Sequence, residues 1–316
     1  MLLPSLYVLI GLVVLFFGGE GLVRGSSRLA LKLGLTPLVV GLIVVAFGTS
    51  APELVVSINA ALDGRGDIAI GNVLGSNILN IGFIIGLTAL IYPLKVDLQI
   101  LRLDLPVMVG VSAIATLVLH NRFVSRLEGA LLVAGLVFYI VFTVYLTRKI
   151  KPSPAVQEEF VESLPTPKGS IMADIGLIVI GLAMLVVGSQ FLVEGAVSLA
   201  RGFGVSEAII GLTVVAVGTS MPELAAGLIA VLKKEPDIAL GNVIGSNIFN
   251  ILGIMGGAAL IKPLAGAGIK MTDLAVMMGF ALLLAPLLFT SRKIVRWEGA
   301  LLLAGYAAYL ALVWPN

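Results

Sequence analysis

Residues 41–94 read GLIVVAFGTSAPELVVSINAALDGRGDIAIGNVLGSNILNIGFIIGLTALIYPL, and residues 211–264 read GLTVVAVGTSMPELAAGLIAVLKKEPDIALGNVIGSNIFNILGIMGGAALIKPL. The two stretches align without a gap at an offset of 170, and 32 of the 54 positions are identical. The same offset sets Gly11, Leu15, Gly18 and Gly25 against Gly181, Leu185, Gly188 and Gly195, and RLEGALLVAG at 126–135 against RWEGALLLAG at 296–305. The whole chain therefore reads as a duplication. Residues 1–146 form one half, with its most repeated motif at 41–94; residues 171–316 form the other, with its motif at 211–264. Between them, 147–170 is rich in Pro, Glu and Lys and has linker composition.

The medium follows from composition. Of 316 residues, 59% are apolar and only 12% are charged, against about 45–50% and 25% in soluble domains. Mean hydropathy is +1.12. Lipid must be the solvent for most of such a chain. Cutting it at its charged stretches gives ten apolar spans, at roughly 4–23, 37–62, 68–94, 105–119, 129–146, 175–193, 208–232, 238–261, 274–291 and 299–314. The expected fold is an all-α polytopic membrane protein. The N-terminal stretch has no basic leader region and is read as the first span rather than a cleavable signal.

Of the 20 Lys and Arg, 14 fall in odd-numbered loops and 6 in even-numbered ones. By the positive-inside rule the odd loops and the linker 147–170 are cytoplasmic, and both termini face outward. Five spans separate equivalent positions of the two halves. Five is odd, so the second half enters the membrane upside down. Inverted repeats are an architecture of secondary transporters, with sites near the bilayer midplane.

The polar residues inside the spans carry the functional signal. Gly48-Thr49-Ser50-Ala51-Pro52-Glu53 lies within the second span, and Gly218-Thr219-Ser220-Met221-Pro222-Glu223 within the seventh. Pro52 has no N–H, so the Gly48 carbonyl loses its helical partner and the helix kinks there. Freed carbonyls, the neighbouring hydroxyls and a carboxylate make an all-oxygen cluster suited to hard cations such as Na⁺ and Ca²⁺. A carboxylate in mid-membrane costs on the order of 2.5–3.5 kcal/mol, so the pair Glu53 and Glu223 calls for a divalent cation, two monovalent ones, or protons. The second element is Gly71-Asn72 through Asn80, with its mate Gly241-Asn242 through Asn250. Asn72, Ser76 and Asn80 share one helix face. Ser76 and Asn80 read as ligands; Asn72 and Asn77 fit ligation or interhelical hydrogen bonding equally well.

The other acids read as structural. Asp67 and Asp237 precede apolar spans and resemble helix N-caps. Glu128 and Glu298 open the fifth and tenth spans at the interface. Glu20 and Glu194 lack symmetric acidic mates, which argues against an ion role. His120 sits at a span end. There is no cysteine and one histidine, which excludes disulfides and clustered-His metal sites. A net charge of +2 with scattered basic residues gives no sign of a nucleic-acid partner. No obligate protein partner is evident, and no cofactor is implied. Ser50 and Ser220 have no His or Lys in their spans to activate them, so an intramembrane enzyme is disfavoured. The inverted repeat disfavours a passive channel.

With these motifs the sequence resembles the calcium/cation antiporter superfamily, in particular its prokaryotic sodium/calcium exchanger branch. GTSAPE with GNVLGSNILN, and GTSMPE with GNVIGSNIFN, are similar to that family's two alpha repeats, and the likeness spans all ten predicted helices. It implies ion sites between helices 2, 3, 7 and 8, with Glu53 and Glu223 as the carboxylates. Thr49, Ser50, Thr219 and Ser220 would supply hydroxyl or carbonyl oxygens. The carbonyls of Ala46 and Ala216 match backbone sodium ligands, and Ser76, Asn80, Ser246 and Asn250 complete the set. The long first and sixth helices would move across the rest to switch access. Some relatives, potassium-dependent exchangers among them, carry Asp where this chain has Asn250. Proton/calcium exchangers typically show G-N-x-x-E in place of G-T-S-x-P-E, a pattern missing here. The resemblance therefore implies exchange of Na⁺ for Ca²⁺ in the cell (inner) membrane, with proton-coupled or potassium-dependent exchange as the alternatives.

Overall fold

The computed structural model describes residues 2–149, 170–203 and 216–313. The fold is helical throughout. Helix α1 spans Leu2–Leu33, α2 spans Leu38–Thr49, α3 Ala51–Leu62, α4 Gly66–Ile91, α5 Ile100–Asn121 and α6 Arg126–Lys149. After the linker come α7 at Ile171–Gly202, the short α8 at Ala216–Thr219, α9 at Met221–Leu232, α10 at Pro236–Ile261, α11 at Met271–Ser291 and α12 at Arg296–Val313. Among the described residues seven helices are long and apolar enough to cross a membrane, and the bent pair α2/α3 makes an eighth. Part of the expected 208–232 span, and all of the linker from residue 150 to 169, lie outside the described residues.

The first and sixth helices outrun their expected bounds. Arg24, Arg28 and Lys32, assigned to the first loop from sequence, lie on α1 instead. Acidic partners hold two of them there. Arg24 pairs with Glu20 one turn back at 2.7 Å, and Lys32 with the buried Asp174 of α7. Glu20 also accepts from Lys233 at 3.2 Å, so it belongs to a surface ion-pair network.

Backbone-close packing of α1 on α7 explains the repeated glycines. A Cβ on Gly181 would stand 2.7 Å from the Gly18 carbonyl, and one on Gly11 2.8 Å from that of Gly188. Without side chains at these seven-residue steps the two helices touch main chain to main chain, as small residues permit in lipid. Elsewhere the sequence halves are strapped together crosswise. Gly86 of α4 meets Gly299 of α12, and Gly129 of α6 meets Gly256 of α10, each with a carbonyl within 3.1 Å of the partner's would-be Cβ. Two-residue strands do the same at the helix ends. β1 (Leu94–Lys95) pairs antiparallel with β4 (Lys293–Ile294), and β2 (Phe123–Val124) with β3 (Leu264–Ala265). The β1–β4 ribbon gathers the ends of α4 and α11 with the starts of α5 and α12, and the β2–β3 ribbon the ends of α5 and α10 with the starts of α6 and α11.

The remaining acids settle into local roles. Asp67 and Asp237 are first-turn residues, not the N-caps expected; the cap positions are Arg65 and Glu235. Asp67 uses its carboxylate across the fold instead, accepting from the Gly268 N–H at 2.8 Å. Glu128 reaches back to the N–H and hydroxyl of Ser125, both at 2.7 Å, and Glu298 to the Val295 N–H at 2.8 Å. Glu128 and Ser125 make a reciprocal capping box, with the Glu128 N–H donating to the Ser125 hydroxyl at 3.3 Å; Glu298 supplies its half alone, since Val295 has no hydroxyl. His120 is exposed in a 3₁₀ turn.

Candidate functional site

The chain breaks where Pro52 and Pro222 require it. Helix α2 ends at Thr49, Ser50 takes φ −82° and ψ 9°, and α3 restarts at Ala51, with a bend of 46° between the two. On the other side α8 ends at Thr219, Ser220 takes φ −90° and ψ 11°, and α9 restarts at Met221. Each break places a serine at the kink and a glutamate in the first turn of the following helix, against the positive end of its dipole. The facing helices α4 and α10 widen into π turns at Asn80–Ile85 and Asn250–Met255. Such turns recur at functional sites, and here each begins on the last asparagine of its motif.

Side chains then cross between the two motifs. The Ser50 hydroxyl donates to Glu223 Oε1 at 2.8 Å and lies 3.1 Å from Ser246 Oγ. In mirror fashion Ser220 donates to Glu53 Oε1 at 2.9 Å and lies 3.3 Å from Ser76 Oγ. Thr49 donates to Asn242 Oδ1 at 3.0 Å. The asparagine left open by sequence turns its amide to helix–helix bonding: Asn72 Nδ2 donates to the Glu53 carbonyl at 3.2 Å, and Asn242 Nδ2 to that of Glu223 at 3.3 Å. Asn77 and Asn247 orient the next layer. Asn80 Nδ2 donates to Asn247 Oδ1 at 3.0 Å, and Asn250 Nδ2 to Asn77 Oδ1 at 2.9 Å. Each bond turns the acceptor oxygen of Asn80 or Asn250 the other way.

What remains is a set of buried oxygens without hydrogen-bond partners: Oε2 of Glu53, Oε2 of Glu223, Oδ1 of Asn80, Oδ1 of Asn250 and Oγ1 of Thr219. Both glutamates are 1% exposed. A buried acceptor left unmade costs about 1–3 kcal/mol, more when charged, so five together describe a cluster of donors to something electropositive. All are hard oxygens, the set that suits Na⁺ or Ca²⁺. The carbonyl of Ala46 is engaged in its helix, accepting from the Ser50 N–H at 3.1 Å and the Thr49 hydroxyl at 3.4 Å. Ala216 opens α8, and its side chain lies outside the described residues.

Two cavities flank the cluster, both on the face of β2 and β3. One of about 450 Å³ lies between α3 and α7 and reaches Thr219; the other, of about 300 Å³, reaches Ser76 and Asn72. The matching positions toward the other face, Thr49, Ser246 and Asn242, are fully buried. The cavity on that side, of about 400 Å³, is lined almost wholly by apolar residues such as Leu42, Phe47, Leu182 and Phe249.

A profile of the family described as Sodium/calcium exchanger protein matches residues 4–148 and 173–314. The chain belongs to that family. Its relatives include CaxA of Alkalimonas amylolytica, 44% identical over 320 residues and covering all of both chains. The sodium/calcium exchanger MaX1 of Methanosarcina acetivorans is 34% identical, over 98% of this chain and 97% of its own. Among solved structures, the sodium-calcium exchanger NCX_Mj from a crystal soaked with 2.5 mM Na⁺ and 0.1 mM Ca²⁺ superposes with a TM-score of 0.84 at 32% identity, over the full length of both chains. The protein is thus a polytopic helical membrane transporter of the cation-antiporter class.

Sequence reasoning missed one feature near the site. Tyr139 donates to the buried Asp104 at 2.9 Å, and Tyr309 to Asp273 at 3.2 Å. The tyrosines stand 170 apart, but the aspartates 169 apart. The π turn at Ile100–Asp104 takes up the extra residue and hides the pair from a gapless comparison.

Proposed function

We propose that this chain is a secondary antiporter that exchanges Na⁺ for Ca²⁺, with both ions bound in turn at the oxygen cluster around Glu53 and Glu223. The single observation that carries the reading is that, of the eight buried side-chain polar atoms left without a partner among the described residues, five are oxygens of the residues that the repeated motifs single out. Thr49, Ser50, Ser220, Ser76 and Ser246 complete the polar shell, and the carbonyls of Ala46 and Ala216 are the backbone candidates for sodium. Calcium takes six to eight oxygens at about 2.3–2.6 Å, a number this shell supplies. One Ca²⁺ balances two carboxylates, and so do two Na⁺, so the ions compete for one charge pair. Neither loaded state carries excess charge through the bilayer, whereas the empty site is penalised. That penalty is what couples the two fluxes.

Ten helices arranged as two inverted halves, 1–146 and 171–316, supply the alternation. The crosswise straps between the halves, and the mirrored bonds of Ser50 to Glu223 and Ser220 to Glu53, fit such a repeat. The cavities that reach Thr219 and Ser76 on the β2–β3 face, against the almost wholly apolar cavity on the other, support a state in which the site is reached from one side. With the charge distribution of the loops, that side is the exterior, and the linker and the β1–β4 ribbon are cytoplasmic. In the proposed cycle the long helices α1 and α7, joined to each other by bare main-chain contact, move across the rest of the fold. An inner-membrane location fits the relative named inner membrane protein YrbG of Escherichia coli, 37% identical over 318 residues.

The test is calcium-45 uptake into sodium-loaded proteoliposomes. Uptake is expected with an outward sodium gradient and not with sodium-free or pH-gradient controls. Uptake driven by the pH gradient alone would move the chain to the proton-coupled branch, and a strict need for potassium would move it to the potassium-dependent one.

A further inference from the structure

The cavity of about 300 Å³ on the β2–β3 face is lined by Asp273 and Tyr309 of α11 and α12 and by Asn72 and Ser76 of α4. Ser76 Oγ is 3.3 Å from the Ser220 hydroxyl, which in turn bonds Glu53 at 2.9 Å. The cavity that Asp273 lines is therefore linked through Ser76 and Ser220 to the glutamate cluster. Asp273 is the only carboxylate among the residues lining this cavity. It sits in the first turn of α11, where a negative charge suits the helix dipole. That accounts for an acid at a helix start. It does not account for the tyrosine of another helix that holds the carboxylate at 3.2 Å, nor for the cavity in front of it.

The second observation is the duplicate of this arrangement. Asp104 and Tyr139 form the same pair at 2.9 Å, on the helices that correspond to α11 and α12 in the other half. There Asp104 is fully buried and Tyr139 is 5% exposed, while Asp273 and Tyr309 are half-buried and open on their cavity. The one carboxylate lines a cavity on the side where the site is reached; the other is fully buried, with its tyrosine lining the apolar cavity of the opposite side.

We propose that Asp273, positioned by Tyr309, is the gateway carboxylate that gathers cations at the outer cavity and passes them to Ser76 and Glu53, and that Asp104 with Tyr139 is its counterpart for the opposite face. A lone carboxylate in a low-dielectric funnel raises the local concentration of a hard cation, and a carboxylate oxygen is the ligand such a cation prefers. The gateway rests on the antiporter reading and deepens it. In the sealed state Asp104 is out of reach of water, so only one gateway operates at a time.

The experiment compares right-side-out with inside-out membrane vesicles, sodium-loaded and supplied with calcium-45, for wild type, D273N, D273E and D104N. D273N is expected to raise the apparent KM for calcium roughly tenfold from the face carrying residues 262–270, without a matching fall in maximal rate, and to leave the other face unchanged. D104N is expected to do the reverse, and D273E to restore most of the loss. The shift should collapse near 1 M inert salt, where the Debye length is about 3 Å. Equal shifts from both faces, a shift indifferent to salt, or no shift at all would overturn the gateway. Wild-type vesicles without sodium-driven uptake would overturn the antiporter reading itself, whereas transport by wild type with D273N unaltered overturns the gateway alone. If D273N does not reach the membrane, Y309F carries the same test, with a smaller shift of the same sidedness.

Discussion

Replacing Glu53 by Gln separates an ion ligand from a packing residue, because the two roles predict opposite signs. In the ion-free protein Glu53 and Glu223 are buried to 1% exposure, each with one oxygen satisfied by a serine and one without a partner. An ionised carboxylate so placed costs about 2.5–3.5 kcal/mol. An amide keeps the Ser220 hydrogen bond and removes the charge, so at pH 8 the ion-free E53Q protein is expected to be more stable by about 2–3 kcal/mol. With an unfolding entropy of about 2.1 cal/mol/K per residue over 316 residues, 1 kcal/mol corresponds to about 1.5 °C, so the apparent Tm should rise by about 3–5 °C. The response to calcium should change the other way. Wild type at a calcium concentration near 100 times its Kd gains about 2.7 kcal/mol, or about 4 °C; E53Q should gain nothing over the same range. The assay is thermal unfolding in detergent at a fixed scan rate, with EGTA and with a calcium series, and E223Q should repeat the pattern. A variant with a lower ion-free Tm and an intact calcium shift would show that Glu53 is a hydrogen-bonded packing residue, and the charge-pair argument would fall.

Four further outcomes test the reasoning elsewhere in the fold. A methyl group at Gly181 would stand 2.6 Å from Leu22 N and 2.7 Å from the Gly18 carbonyl, while one at Gly176 on the same helix meets nothing within 4 Å; G181A should cost about 1–3 kcal/mol and slow exchange, and G176A should stabilise by up to about 1 kcal/mol, read as Tm and uptake rate. Asn247→Ala frees the Asn80 amide it holds at 3.0 Å, so calcium affinity by equilibrium binding should fall roughly 10–100-fold with little change in Tm. Lys234 has φ +62° where its offset-170 counterpart is Gly64 at φ +76°, so K234G should relieve about 1 kcal/mol of left-handed strain and raise Tm without touching transport. Burial, aided by Asp237, lifts the Glu235 carboxyl from 4.5 to about 7; the folded protein then holds a proton the unfolded chain releases, so this group's stability contribution is full below about 4.5 and lost as pH rises to about 7. E235Q should flatten that slope in a Tm–pH series.

Much of this was legible in the residues, for identifiable reasons. A proline inside an apolar run dictates a break, and Pro52 and Pro222 deliver it at the serine where it is expected. A carboxylate in lipid is too costly to be incidental, so Glu53 and Glu223 could be singled out from one sequence. Asn80 reads as a ligand from its helix face, but which of its atoms is available depends on Asn247, as that of Asn250 does on Asn77, whose amides fix which way each faces. Those two asparagines looked like any polar pair between helices. Helix ends were misjudged wherever a charge has a partner far along the chain. Lys32 stays helical because Asp174, 142 positions away, receives it, and Asp67 gives up a capping role for Gly268, 201 positions away. Periodicity is local and does not see such partners.

The crosswise straps give the pairing of the two halves a mechanical consequence. If each half packed mainly on itself, the two glutamates could draw apart, and the cost of an empty site would be relieved by separation. Instead Gly86 meets Gly299, Gly129 meets Gly256, and each two-residue ribbon joins one strand from each half. Every hydroxyl that satisfies a glutamate also comes from the opposite half: Ser220 for Glu53 and Ser50 for Glu223. The two carboxylates are thereby held in one shell whichever face is open. Helices α1 and α7 take no part in these straps and touch each other through bare main chain. On the proposed exchange the charge pair stays together while the covering helices move, so the cost of emptying the site persists through the cycle, and that cost is what an obligatory exchanger needs.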